Sequence, residues 1–274
     1  LSLAQVRNSR SICGSMPESV SSRLYLAPKT LTRPRMRLVC FPHAGTGASV
    51  FHGWAAPLAE SGIEVRAAQY PGRESRWGEP LITSVQEMAD HWLGHWLTLG
   101  GDDDVPVVIY GHSMGVLVAY ELARRMQAQA SPRGPQRLIF GGRNAPHVPS
   151  KHPPIHHLSD ERFLAKVSER YGNLPKVLLE DAEMRQLVVP ILKADFQLVD
   201  DYILSKPVSP PLVVPLTILE GTEDPFTSDE ALAGWIGYTA ATCDRRSITG
   251  GHFFHQQERD RTLDLIREIL MHER

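Results

Sequence analysis

The stretch Pro106-Val107-Val108-Ile109-Tyr110-Gly111-His112-Ser113-Met114-Gly115 decides the fold of this chain. Its apolar, β-branched start predicts a buried strand, and residues 116–126, Val-Leu-Val-Ala-Tyr-Glu-Leu-Ala-Arg-Arg-Met, predict a helix directly after it. The join fits G-x-S-x-G, which presents Ser113 on a sharp strand-to-helix turn where side chains at the glycine positions would not fit. This context is typical of a nucleophile, whereas the bare pentapeptide also occurs as a small-residue turn that packs helix on sheet.

A serine nucleophile needs a base, and the base needs an acid that orients it. Residues 212–220 predict a strand followed by a loop with Asp224, and residues 245–249 predict a short strand that ends near His252. The order Ser113, Asp224, His252 is that of the α/β-hydrolase fold. Each side chain follows the C-terminal end of a predicted strand, where open α/β sheets place their sites.

Other side chains compete for the two partner roles. Asp224 is favoured as the acid because it follows a strand and precedes a turn-forming proline. His112 is expected to point away from the serine hydroxyl, His43 precedes the serine in the chain, and His255 is expected to lie in the C-terminal helix. The alternative acids are Glu223, Asp229, Asp195, Asp200 and Asp201.

An acyl-transfer site also needs hydrogen-bond donors for the oxyanion of its tetrahedral intermediate. The Met114 N–H, directly after the predicted nucleophile, is the first. The second is expected from the loop at residues 42–49, which follows a predicted strand at residues 36–41 and whose small residues let its backbone approach a ligand closely. Within that loop the Ala44 N–H is favoured, and the His43 N–H is the alternative.

Six short segments together form a pattern more specific than the serine motif alone. They are CFPHAG at 40–45, YPGRESR at 70–76, GHSMG at 111–115, LKADF at 192–196, EGTEDP at 220–225 and GGHFF at 250–254. In these segments the chain resembles the stand-alone (type II) thioesterases of polyketide and nonribosomal peptide assembly lines. The resemblance implies a triad of Ser113, Asp224 and His252 and an oxyanion hole at Ala44 and Met114. The first loop departs from the pattern, since relatives often have a second aromatic residue and a Gly-Gly pair there.

The resemblance implies hydrolysis of acyl thioesters on the phosphopantetheine arm of acyl carrier or peptidyl carrier domains, in an editing role. It implies an acyl-enzyme mechanism without a resident cofactor, because the phosphopantetheine belongs to the substrate. Three alternatives remain open: an oxygen-ester hydrolase of the lipase kind, an acyltransferase to an alcohol or amine, and a non-catalytic module that binds carrier proteins. Neither fold nor triad distinguishes a thioester from an oxygen-ester substrate.

The alternation of strands and helices predicts an α/β protein with a mainly parallel central sheet flanked by helices. Residues 146–205 break this alternation with a proline-rich start and two helical patterns, at 160–170 and 181–202, and Pro190 is expected to kink or interrupt the second. An insertion at the catalytic edge predicts a helical lid that excludes water and shapes an acyl pocket. The predicted lining residues are Leu187, Ile191 and Phe196, with ordinary core packing as the alternative.

Length and composition agree with one globular domain. The chain has 274 residues, 42% hydrophobic and 22% charged, enough for one large α/β core. We expect that domain at residues 34–274. Residues 1–33 are expected to form an N-terminal extension, flexible or partly vector-derived. Little of residues 1–30 is expected to pack in the core, and Met16 is a plausible native start.

Several classes of function are disfavoured. The net charge of −2 and the absence of a basic stripe argue against nucleic-acid binding, and no apolar run reaches the length of a membrane span. Neither H-E-x-x-H nor C-x-x-C occurs, and Gly45-Thr46-Gly47 lacks the third glycine of a dinucleotide motif, so no metal or nucleotide site is expected. Three scattered cysteines suggest reduced thiols and hence a cytoplasmic protein, which we expect to be a monomer.

Overall fold

The predicted strands assemble into one sheet in the computed structural model of the protein, which describes residues 23–172, 174, 178, 180–202 and 210–271. The strands are β1 (Tyr25–Leu26), β2 (Met36–Phe41), β3 (Ile63–Ala68), β4 (Val107–His112), β5 (Arg137–Gly141), β6 (Leu216–Gly221) and β7 (Cys243–Ile248). Their order in the sheet is β1-β3-β2-β4-β5-β6-β7, and every neighbouring pair is parallel except the antiparallel β1–β3 edge. The predicted α/β class with a mainly parallel sheet is therefore confirmed.

Helices cover both faces of this sheet, which explains why its central strands are apolar on both sides. Alternate residues of β2 belong to opposite cores: Val39 lies in the same apolar cluster as Trp92, and Leu38 lies in the other cluster with Trp54. The α-helices are α1 (Ala55–Ala59), α2 (Val85–Gly94), α3 (Trp96–Gly100), α4 (Met114–Ala128), α5 (Asp160–Tyr171), α6 (Ala182–Asp200), α7 (Asp229–Ala233), α8 (Phe254–Gln257) and α9 (Arg259–Met271), with 3₁₀ turns at Ala48–Trp54, Glu74–Arg76 and Gly234–Tyr238. Among the described helices, none has the length and apolar character that crossing a membrane requires.

Part of the N-terminal segment belongs to the sheet and the core, which the sequence did not predict. Tyr25 and Leu26 pair with Ala68 and Ala67 at the sheet edge, and Leu24 is buried, although little of residues 1–30 was expected to pack in the core. Residues 1–22, which include Met16, lie outside the described part of the chain.

One strand and one helix differ from their predicted forms, and a proline is involved in both cases. The strand predicted at 212–220 begins only at Leu216, because Pro215 has no N–H for the ladder; Leu212 forms an isolated bridge instead. The helix predicted at 181–202 runs through Pro190 without interruption. Pro190 lies on the exposed face, where water can bind the carbonyl left without a donor.

Candidate active site

The turn between β4 and α4 holds Ser113 in a strained backbone conformation, with φ 51° and ψ −108°. Such a conformation is costly for a residue with a side chain and persists only where the surroundings impose it. A Cβ at Gly111 would lie 2.6 Å from the Gly115 carbonyl oxygen, and one at Gly115 would overlap the Phe41 carbonyl oxygen. The Ser113 N–H donates to the Gly141 carbonyl at 2.8 Å. Packing around both glycines therefore imposes the turn that presents the serine hydroxyl.

The side chains of Ser113, His252 and Asp224 lie in one hydrogen-bonded row. The Ser113 Oγ is 3.1 Å from His252 Nε2, and His252 Nδ1 is 2.9 Å from Asp224 Oδ2. Because a carboxylate only accepts, Nδ1 carries the imidazole proton and Nε2 is left to accept from the serine hydroxyl. The Phe226 N–H, 2.9 Å away, orients the other carboxylate oxygen. The arrangement can move a proton from serine to imidazole while the carboxylate stabilises the charge.

The loops that carry the histidine and the carboxylate are joined by their backbones. The Thr222 N–H donates to the Ile248 carbonyl and the Glu223 N–H to the Gly250 carbonyl, both at 2.9 Å. A Cβ at Gly221 would lie 2.6 Å from the Gly250 oxygen, so only glycine permits this approach. Adjacent parallel strands β6 and β7 thus bring residues 28 positions apart within hydrogen-bonding distance.

The alternative histidines all lie behind His252. His112 points away from the serine, as expected: its Nε2 donates to the His252 carbonyl at 2.8 Å, and the Tyr110 hydroxyl is 3.0 Å from its Nδ1. His255 stacks on His112 with ring centroids 3.7 Å apart, and it lies in α8. The ring of His43 lies 6.0 Å from that of His112. His112 therefore supports the backbone of His252 and does not compete with its side chain.

The alternative carboxylates are engaged elsewhere or exposed. Their positions in the sequence do not separate them from Asp224, but their ion-pair partners and their exposure in the structure do. Asp195 is paired with Arg73, Asp200 with His156 and Asp229 with Arg245, while Glu223 and Asp201 are exposed.

The buried histidines beside the site are uncharged at neutral pH. Burial lowers the pKa of His43 to about 4 and lowers the pKa values of His112 and His255 well below the usual range. The charge of the imidazolium that forms at His252 during a reaction would meet neutral neighbours and one carboxylate, Asp224. This is the distribution that stabilises a transient positive charge on one ring.

The predicted oxyanion donors lie on neighbouring backbone segments. Met114 is the first residue of α4, so its N–H has no partner within the helix and lies at the positive end of the helix dipole. The loop after β2 packs directly against this helix end, since a Cβ at Gly115 would lie 2.8 Å from the Pro42 carbonyl oxygen. The Tyr70 hydroxyl donates to that oxygen at 3.1 Å. Ala44 follows two residues later.

Aromatic rings surround the His252 imidazole, and two of them, Phe226 and Tyr171, lie outside every motif found in the sequence. The rings of Phe226, Phe253 and Tyr171 have centroids 5.0, 5.0 and 5.9 Å from that of His252. Tyr171 stacks on Phe226 at 4.5 Å. No local pattern marks Phe226 or Tyr171, because the first lies in a loop and the second at a helix end, and the two meet only in three dimensions. They make an apolar wall that can receive an acyl chain and limit the access of water.

The predicted lid residues differ in their surroundings. Phe196 is buried in an apolar cluster formed by α5, α6 and nearby residues, with its ring 5.3 Å from Phe163 and 5.8 Å from Tyr171. Ile191 is half-buried, and Leu187 is exposed. Tyr171 links this cluster to His252, so Phe196 lies one side chain away from the site.

Comparisons with known proteins agree on one relationship. Residues 36–270 match the family described as "Thioesterase domain". The "Probable cadicidin biosynthesis thioesterase" of Streptomyces griseus is 36% identical over 225 residues, 82% of this chain and 60% of that protein. Thioesterase PikA5 of Streptomyces venezuelae is 35% identical over 222 residues, 80% of this chain and 75% of that protein. Among solved structures, YbtT, a type II thioesterase from the yersiniabactin NRPS/PKS biosynthetic pathway, has a TM-score of 0.79 at 28% identity, covering 89% of this chain and 97% of its own.

Proposed function

Since the chain belongs to the thioesterase domain family, we propose that it releases acyl groups from carrier-bound phosphopantetheine in a polyketide or nonribosomal peptide assembly line. It is a thioesterase of the serine-hydrolase kind. The observation that carries the proposed chemistry is the row from Ser113 through His252 to Asp224, with contacts of 3.1 and 2.9 Å. The biosynthetic relatives support the assembly-line setting.

In the first half of the proposed reaction the enzyme is acylated. His252 Nε2 takes the Ser113 proton as Oγ attacks the thioester carbonyl, and the resulting oxyanion accepts hydrogen bonds from the Met114 and Ala44 N–H groups. Asp224 holds the Nδ1 proton and stabilises the imidazolium. Collapse of the intermediate breaks the carbon–sulfur bond, and the departing thiolate receives the proton from His252.

In the second half, water releases the acyl group. His252 Nε2 takes a proton from a water molecule that attacks the acyl-enzyme carbonyl, and the same donors stabilise the second oxyanion. Breaking the bond to Ser113 returns the proton to Oγ and frees the carboxylic acid. The reaction uses no resident cofactor, because the phosphopantetheine arrives with the substrate.

The insertion between β5 and β6 is proposed as the lid of a single domain at residues 34–274. The apolar cluster of α5 and α6 and its contact with His252 through Tyr171 support this assignment for residues 146–205. In that position Phe196 of the cluster would line the acyl pocket, and Ile191 and Leu187 of the same helix are the other two proposed lining residues. The proposed job is editing, that is, removal of stalled or aberrant acyl groups, by a cytoplasmic monomer whose partners are acyl or peptidyl carrier domains.

The experiment that tests the function is an acyl-release assay. A panel of acyl groups is loaded on the phosphopantetheine of an acyl carrier and a peptidyl carrier protein, and free acid is measured with enzyme and with a Ser113→Ala variant. We expect release by the wild-type enzyme only. Absence of release from every loaded carrier would overturn the carrier-editing proposal.

Two further arms separate the alternatives. Faster turnover of an oxygen ester than of the matching acyl-pantetheine thioester would indicate a lipase-like esterase. Acyl transfer to added alcohols or amines in preference to water would indicate a transferase. Carrier binding without turnover in any arm would indicate a binding module.

A further inference from the structure

The backbone turn His43–Thr46 carries the proposed second oxyanion donor, Ala44. The Thr46 N–H and Oγ1 both donate to the His43 carbonyl oxygen, at 3.4 and 2.9 Å. Because a trans peptide is planar, the N–H of the same peptide unit points the opposite way. These bonds therefore direct the Ala44 N–H away from Thr46. Gly45 is the third residue of the turn and has φ 78°, the conformation that a type II turn requires there.

The peptide unit between Ala44 and Gly45 is held from both sides. Its carbonyl accepts from His43 Nδ1 at 3.0 Å, and its N–H donates to Asp195 Oδ2 at 2.7 Å. The neutral His43 ring suits this role, since Nδ1 donates while Nε2 accepts from the Gln256 amide at 2.9 Å. Type I and type II turns differ by a flip of this central peptide. The two bonds therefore determine which turn forms, and with it the path of the loop around Ala44.

Asp195 lies on α6, 150 residues after Gly45, and is fully buried. Arg73 binds both of its carboxylate oxygens, Nη1 to Oδ2 at 2.6 Å and Nη2 to Oδ1 at 2.7 Å. Arg73 Nη1 also donates to the Thr46 carbonyl at 3.2 Å. A buried ion pair contributes little net stability compared with well-packed apolar residues. The pair also binds the backbone of two successive turn residues, Gly45 and Thr46, which indicates that its role is to position the turn.

We propose that Asp195, held by Arg73, is a positioning residue that sets the oxyanion hole by fixing the Ala44–Gly45 peptide. This inference rests on the proposed acyl-enzyme mechanism at the same site. Neither side chain touches the reacting atoms; both act through the backbone of the turn. The geometry also makes the oxyanion hole depend on the position of α6.

A second contact of α6 with the same glycine supports this dependence. Leu192 lies one helical turn before Asp195, and its Cδ2 would be 2.6 Å from a Cβ at Gly45. The helix therefore packs on the turn through an apolar side chain and binds it through a carboxylate. Displacement of α6 would remove both contacts and leave the central peptide of the turn held by His43 alone.

The test compares Asp195→Asn with Glu64→Gln. Glu64 is a matched control, since its carboxylate is also buried and bound by two arginines, Arg37 at 3.2 Å and Arg66 at 2.8 Å, but lies on β3 away from the turn. A third variant, Arg73→Met/Asp195→Leu, removes both charges together and so avoids leaving one buried charge unpaired. Thermal stability is measured for each, and kinetics are run well below each Tm.

Each variant is assayed with an acyl-pantetheine thioester and with a small activated ester. We expect Arg73→Met/Asp195→Leu to lower kcat about 100-fold, the size of effect that a misplacement of about 1 Å produces, with little change in KM. Asp195→Asn, which keeps an oxygen acceptor, should lower kcat about 10-fold, as befits partial loss of one oxyanion donor. Glu64→Gln should leave kcat unchanged even where it lowers Tm.

The second measurement is the inhibition constant, Ki, of a boronic acid that forms an anionic tetrahedral adduct with the serine. A loss of stability alone would leave this Ki unchanged. Its Ki should rise in each variant by the factor by which kcat/KM falls, because both report binding of the oxyanion. Equal kcat in Asp195→Asn and Glu64→Gln, or an unchanged boronic acid Ki in Asp195→Asn, would overturn the proposal. These two single variants are enough to test it even if the double variant does not fold. If the wild type cleaves only the activated ester, the carrier function fails while the Asp195 test still stands.

Discussion

At the scale of single residues, the site depends on groups whose protonation and backbone conformation are imposed by neighbours. Ser113 has a positive φ in a turn where Gly111 and Gly115 approach neighbouring backbone atoms too closely to carry side chains. His252 keeps its Nδ1 proton because Asp224 only accepts. Small substitutions at these positions should therefore change the chemistry while the fold survives.

Replacement of Ser113 by alanine tests the nucleophile. Turnover should fall by about 10⁴ to 10⁶, as for other triad serines, because no group replaces Oγ as the attacking atom. Labelling by a fluorophosphonate should disappear, while circular dichroism and Tm match the wild type. A folded variant that kept more than about a tenth of the activity would be incompatible with the proposed mechanism.

Replacement of Asp224 by asparagine tests the acid. The shape is kept, but the amide favours the other His252 tautomer, and kcat should fall by about 10⁴. Asp200→Asn is the control, since that carboxylate contacts His156 and the Ile155 N–H. A near-normal Asp224→Asn with a strongly impaired Asp200→Asn would show that Asp200, and not Asp224, is the acid.

At the scale of elements, α5 and α6 combine two tasks. Their shared apolar cluster approaches His252 through Tyr171, and α6 alone reaches the turn at Gly45. A substitution within the cluster should alter which acyl groups fit, whereas one at Asp195 should alter the rate for every acyl group. The two effects can be separated by chain-length profiles.

Phe196→Ala tests the acyl pocket. Removing a buried ring that packs on Phe163 and Tyr171 should shift preference toward longer or branched acyl groups, each methylene being worth about 1 to 3 kcal/mol. Activity toward a small activated ester should change little. Leu187→Ala, at an exposed position of the same helix, should shift the profile less. Profiles of kcat/KM that stay parallel to the wild type would mean that neither side chain contacts the acyl group and that something else selects the substrate.

At the scale of the whole molecule, buried histidines make stability depend on pH. The pKa of His43 is about 4 in the folded protein, compared with about 6.5 for an unperturbed histidine, and burial also lowers the pKa values of His112 and His255. Below pH 6.5 these three histidines bind protons in the unfolded chain but stay neutral in the folded protein. Unfolding therefore becomes easier as pH falls toward 4.

The free energy of unfolding should thus be largest above pH 6.5 and decline by up to about 1.4 kcal/mol per pH unit for each such histidine as pH falls toward 4. Denaturant unfolding across that range measures the slope. His255→Phe should flatten it, because an apolar ring then occupies the stacked position beside His112. An equal slope in variant and wild type would show that His255 titrates alike in both states.

Local patterns in the sequence were enough for most of the fold. Apolar β-branched runs and G-x-S-x-G specified β4, the Ser113 turn and α4 because each depends on residues within one short window. The order of Ser113, Asp224 and His252 followed from strand ends, since parallel strands bring their carboxyl ends to one edge. The cap of α2 is equally local, since the Ser84 hydroxyl accepts a hydrogen bond from the Glu87 N–H three residues further on.

The tertiary structure alone decided how distant segments serve the site. Asp195 was a candidate acid by sequence, yet it binds Arg73, 122 residues away, and the turn at Gly45. The aromatic wall around His252 joins a loop residue, Phe226, to a helix end, Tyr171. No local window encodes such contacts, because their energy depends on which surfaces the assembled sheet and the α5–α6 insertion bring together, and burial then decides the charge and partner of each group.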